Sequence, residues 1–124
     1  MFKKIDKEDM FGAIWNFPAN LSDAFKLGNK IELLKNYNDI KSVVIAGMGG
    51  SAIGGDVISI LENDNLKIPF LVCRGYSVPN WVDENTLVIC SSYSGNTEET
   101  LAALDDALEK KAMICGVTTG GVLA

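Results

Sequence analysis

The sequence contains no histidine. No Ser-His-Asp triad, Cys-His pair or His-ligated metal can be assembled from these residues alone. Arginine is nearly absent too, with Arg74 the single example. The balance of 11 Lys+Arg against 16 Asp+Glu leaves a net charge of −5. Broad nucleic-acid binding needs a basic surface, so that class is set aside. The three cysteines, Cys73, Cys90 and Cys115, form no C-x-x-C. Neither a zinc knuckle nor a thioredoxin-type pair is indicated, and they read as small buried thiols of a reducing cytoplasm. No apolar run approaches the ~20 residues of a membrane-spanning helix, so no membrane partner is expected. The first residues turn acidic at once, unlike a signal peptide, and the sequon Asn20-Leu21-Ser22 is read as chance. What is present is 48% hydrophobic and 22% charged residues in 124, enough for one real core.

The pattern predicts two parts, an N-terminal helical segment over 1–41 and an α/β domain over 42–124. Phe11, Ile14, Trp15 and Phe17 cluster before Pro18. Leu21, Ala24, Phe25 and Gly28 follow at helical spacing, and Ile31, Leu34 and Tyr37 form a third patch. Trp15 and Trp81 are expected in core or interface. Four short apolar runs then suggest strands: Val43–Ala46, Ile68–Cys73, Thr86–Cys90 and Met113–Val117. Between them lie a helix from Ser51, with Ile53, Val57, Ile60 and Leu61 on one face, and a helix over 97–110, with Leu101, Leu104 and Leu108 inward. Glu98 and Glu99 in its first turn and Lys110 and Lys111 at its end suit the helix dipole. Strand, small-residue turn and helix in repetition predict a three-layer α/β/α fold. The expected sheet is parallel, in the flavodoxin-like order 2-1-3-4. A Gly-Gly turn after the fourth strand normally feeds a helix, and Val122-Leu123-Ala124 is barely a first turn. The unit is therefore expected to be the front part of a longer one, cut short after that strand.

In such sheets ligands bind beyond the carboxyl ends of the strands, where strand order reverses. The loops after the first and third strands would face each other there. In Ser91–Thr100, hydroxyl side chains crowd beside Gly95 at a helix N-terminus. Unpaired N–H groups and short hydroxyls make a phosphate cradle from neutral groups. Asn96 with Glu99 three residues on also fits an ordinary capping box, which leaves Ser92, Ser94 and Thr97 unexplained. Gly47-Met48-Gly49-Gly50-Ser51-Ala52 fits the dinucleotide fingerprint. The acidic residue due at the end of the second strand is replaced by Cys73 and Arg74. An NADP-binding module, with Arg74 on the 2′-phosphate, therefore stays open, as does a tight turn with no ligand and a solvated Arg74. Glu98 and Glu99 read as dipole compensation rather than a base.

Ser92-Tyr93-Ser94-Gly95-Asn96-Thr97-Glu98-Glu99-Thr100 resembles the phosphate loop of sugar isomerase (SIS) domains. Gly47–Asp56 and Thr118-Thr119-Gly120-Gly121 narrow the likeness to the N-terminal domain of the bifunctional phosphoglucose/phosphomannose isomerases of archaea and bacteria. The resemblance runs from Phe17-Pro18 to the last residue. It implies two SIS domains in a chain at least twice this long, working as a dimer. It implies metal-free and cofactor-free exchange of glucose 6-phosphate or mannose 6-phosphate with fructose 6-phosphate through an enediol. By motif, Ser92, Ser94 and Thr97 would hold the phosphate, and Gly49, Gly50 and Ser51 would line the sugar. The family's catalytic Arg, Glu and His would fall beyond Ala124, so no residue here is assigned catalysis. The resemblance implies the phosphosugar-binding half of an isomerase. A stand-alone regulatory SIS module that binds a sugar phosphate without converting it is the alternative of another class.

Overall fold

The computed structural model describes residues 5–32, 37 and 39–124, and the chain divides into two compact units, Met1–Asn36 and Tyr37–Ala124. In the first, α1 (Met10–Trp15) and α2 (Phe17–Gly28) follow one another, with Pro18 in the first turn of α2, where its missing N–H costs nothing. Asp6 starts α1: its carboxylate accepts the N–H groups of Met10 at 2.7 Å and Phe11 at 2.8 Å. Neither helix has a buried residue, and Trp15 stacks on Phe11 in the open, with ring centroids 6.1 Å apart. Trp81, in the second unit, is half-exposed, so neither tryptophan is a core residue. Of the third apolar patch, Ile31 lies past α2 outside any helix, and Leu34 falls outside the described residues.

The second unit runs β1 (Ser42–Gly47), α3 (Gly49–Leu61), β2 (Phe70–Cys73), β3 (Thr86–Ser91), α4 (Glu98–Glu109) and β4 (Met113–Val117). The four strands pair in the order β2-β1-β3-β4, all parallel, with Ile45 opposite both Val72 and Ile89. The expected parallel α/β sheet and its order are therefore observed. β2 starts two residues later than the apolar run because Pro69 has no N–H to give the ladder; its carbonyl still accepts from Val43 N at 2.9 Å.

Alternate residues of the strands serve two faces. Val44, Ala46, Val88 and Cys90 form one core with Ala103 and Ala107 of α4 and with Val78 and Val82 of the β2–β3 connection. The other face meets α3 through small residues. Ala52 is fully buried, and a Cβ on Gly55 would lie 2.9 Å from Val72 Cγ2 and 3.1 Å from Ile45 Cδ1. The row Ile53, Val57, Ile60 and Leu61 shares one face of α3 as expected, and that face is turned outward, with Ile60 76% exposed. The glycine-alanine side permits the closer approach to the sheet, and close approach selects the packing face. α4 likewise packs by Thr100, Ala103 and Ala107, with Leu104 against the core and Leu108 exposed rather than inward. Its first turn carries Glu98 and Glu99 as expected.

Candidate functional site

β1 and β3 are neighbours at the centre of the sheet, and the chain leaves β1 for β2 on one side before returning to β3 on the other. The loops after these strands meet at the reversal. Tyr93 N donates to Ser51 Oγ at 3.4 Å, joining the α3 loop to the α4 loop. Both helices begin on extended residues, Met48 and Thr97, with no side-chain cap bond. The first-turn N–H groups of both helices thus have no side-chain cap. Gly49, at φ +50°, and Gly50 open α3, and neither position has another group within 4 Å of where a Cβ would stand.

Within 91–97 the hydroxyls divide in two. Ser92 is 1% exposed, and its Oγ lies 2.8 Å from Thr97 Oγ1 and accepts Gly95 N–H at 3.1 Å. Ser94 is exposed, and its Oγ accepts Asn96 N–H at 3.2 Å. Ser92 is thus an internal strut of the loop, while Ser94 stands at its surface. The capping box is not formed. Asn96 Oδ1 instead accepts Val122 N–H at 3.1 Å, from the loop after β4.

That third loop is locked onto the second. Tyr93 O accepts both Thr119 Oγ1 at 2.6 Å and Thr119 N at 3.2 Å, and Gly95 O accepts Leu123 N at 3.1 Å. Gly95 (φ +68°) and Gly121 (φ +77°) make the fit possible. A Cβ on Gly95 would overlap Gly120 O, and one on Gly121 would lie 2.3 Å from Ser94 O. A cleft of about 210 Å³ lies between the three loops, lined by Ser51, Ser91, Tyr93, Val117, Thr118 and Thr119. Of the candidate residues only Ser51 lines it. Ser91, Tyr93, Thr118 and Thr119 fall in the two stretches the sequence marks, Ser91–Thr100 and Thr118–Gly121, but are given no site role there. A larger groove of about 440 Å³, at Ser42, Pro69, Phe70, Leu71 and Trp81, adjoins the other end of β1 and is nearly all apolar, so it offers an anion little.

Electrostatics narrow the chemistry. Arg74 is paired with Asp56 of α3, both half-exposed, which corrects the reading of a solvated charge. A guanidinium already facing a carboxylate is poorly placed for a 2′-phosphate. Cys73, where the ribose-binding acid would stand, donates its thiol to Ser77 O at 3.1 Å. Glu98, then Glu99, push the Tyr76 phenol above its ordinary range, so α4 presents negative charge towards the β2–β3 connection. Burial pushes the Cys90 thiol up to about 11, and burial then Asp106 raise Cys73, which makes both poor nucleophiles. Only Cys90 is fully buried; all three thiols are free. Among the described residues no cluster of acidic and cysteine side chains could hold a metal ion, and no helix is long and apolar enough to cross a membrane.

The chain resembles named proteins in sequence and in fold. It is 49% identical over 114 residues to a bifunctional phosphoglucose/phosphomannose isomerase of Caldicellulosiruptor bescii, covering 92% of this chain and 34% of that one. A protein of the same name from Thermoplasma acidophilum is 47% identical over 83 residues, covering 67% and 26%. A crystal structure described as a proposed phosphosugar isomerase of Bacillus subtilis superposes with a TM-score of 0.56 at 30% identity, over 65% of this chain and 26% of that one. No family model matches. Parallel sheet, strand order and neighbours together define an α/β domain of the sugar isomerase (SIS) class. Within that class the chain is a homologue of the bifunctional phosphoglucose/phosphomannose isomerases, and it spans between a quarter and a third of the length of these relatives.

Proposed function

We propose that these residues are the phosphosugar-binding part of an aldose–ketose isomerase that interconverts glucose 6-phosphate or mannose 6-phosphate with fructose 6-phosphate. The observation that carries the reading is the uncapped N-terminus of α4 with hydroxyl groups gathered around it. The phosphate sits over those N–H groups, held by Ser94 and by Thr97, while the buried Ser92 holds Thr97 and Gly95 in place for it. Gly49, Gly50 and Ser51 bring the first turn of α3 to the sugar. The dipoles of two helices favour the anion, each by about 0.3–1 kcal/mol. These residues bind and orient; none of them is assigned a proton-transfer step, and the reading requires no cofactor. It carries with it a cytoplasmic setting and a homo-oligomer.

Calorimetric titration tests the reading. The chain should bind fructose 6-phosphate in preference to NADP. Ser94→Ala should weaken binding about tenfold or more, since a hydrogen bond to a charged group is worth about 1.5–3 kcal/mol. Equal affinity of the variant and the parent, or a preference for NADP, contradicts it. Binding without turnover in a coupled isomerase assay of the longest natural chain would favour the non-catalytic SIS module instead.

A further inference from the structure

We propose that Tyr93 is the aromatic wall of the sugar subsite and sets the preference for a phosphosugar over bare phosphate; this rests on the phosphate reading above. The backbone and the side chain of this residue are treated in opposite ways. Its N–H goes to Ser51 Oγ on the first loop, and its carbonyl takes two bonds from Thr119 on the third. Tyr93 therefore stands where all three carboxyl-end loops are tied together. Its ring takes no part in this: the residue is 79% exposed and is one of those lining the cleft of about 210 Å³.

The ring is outside the core and stands on a backbone pinned at three points, so it is available to a ligand without rearrangement of the loop. The other residues lining the cleft are Ser51, Ser91, Val117, Thr118 and Thr119. Small-ligand sites combine a few fixed polar groups with an apolar or aromatic surface. A sugar presents the matching pair, hydroxyls around its edge and C–H groups on its face. A tyrosine ring offers flat apolar area, with only two side-chain torsions to freeze. Tyr93 also lies between Ser92 and Ser94 in sequence. A ligand anchored by its phosphate on this loop has its carbon skeleton within reach of the ring. Inorganic phosphate has no carbon skeleton and gains nothing from it.

The test is a titration of the parent chain, Tyr93→Ala and Tyr93→Phe, each with fructose 6-phosphate and with inorganic phosphate. Tyr93→Ala should bind the sugar phosphate about tenfold more weakly and inorganic phosphate as the parent does. Tyr93→Phe, which keeps the ring face, should match the parent with both ligands. Unchanged sugar-phosphate affinity in Tyr93→Ala overturns the proposal. Parallel loss of both ligands overturns it too, because it marks a role in shaping the loop. Failure of the parent to bind either ligand contradicts the phosphate reading itself, a result distinct from the other two.

Discussion

Glycines of one chain carry opposite meanings, and the surroundings of each decide which. Gly54, on the outward side of α3, has nothing within 4 Å of where a Cβ would stand. Gly54→Ala should stabilise the protein by about 0.5–1 kcal/mol, through helix propensity and a less free unfolded chain. Gly95 is the reverse: its φ of +68° and the carbonyl of Gly120 both refuse a side chain. Gly95→Ala should cost at least ~2 kcal/mol and abolish anion binding, because the two loops must part. Urea melts of the two variants against the parent give both signs in one experiment. In the sequence, Gly95 is recognisable as part of the loop before α4, since its hydroxyl neighbours flank it. The inner role of Ser92 was not: nothing in a one-dimensional pattern distinguishes a serine 1% exposed from the exposed Ser94 two residues later. The capping-box reading of Asn96 failed for a related reason, as its partner, Val122, is 26 residues away.

At the scale of elements, the strands were legible because β-branched runs buried on both faces are short, continuous and followed by turns. The helices were legible in extent but not in facing. Periodicity marked the aliphatic rows of α3, while the contact side was chosen by Ala52 and Gly55. The β2–β3 connection shows how an irregular segment is held against such a helix. Asp106 of α4 accepts Val78 N–H at 2.8 Å, and Lys110 bonds both Asp106, at 2.7 Å, and Val78 O, at 3.3 Å. The Lys110 contact, opposed by partial burial and aided by Val78 N–H, holds the Asp106 carboxyl below its ordinary range. A lowered native pKa contributes stability that is complete above the unfolded value, near 4, and is lost as pH falls through the native value. Asp106→Ala should therefore cost about 1–3 kcal/mol at pH 7, by leaving the Val78 N–H without its acceptor. The gap between variant and parent should narrow as pH falls from the unfolded value through the lowered native one, as the parent's carboxylate takes up its proton. Denaturant midpoints across pH 2.5–7 measure both.

At the scale of the whole molecule, α3 turns Ile53, Val57, Ile60 and Leu61 to solvent, and β2 and β4 are the outer strands of the sheet. Open strands and an aliphatic row of this kind favour self-association. Light scattering should show species larger than a monomer that grow with concentration. Ile53→Lys combined with Ile60→Lys should shift them towards monomer without disturbing the sheet, as both side chains are already exposed. The grip of the loop after β4 on the loop before α4 has a temporal meaning as well. Residues 92–96 take their shape from groups at 119–123, which leave the ribosome later. The proposed anion seat therefore takes shape only once residues 119–123 are in place, together with the docking of β4. By mass action, an anion that binds only the finished seat would favour the docked β4. Amide exchange at residues 119–123 should slow in proportion to ligand occupancy, so a small metabolite would act as the latch of the fold it visits.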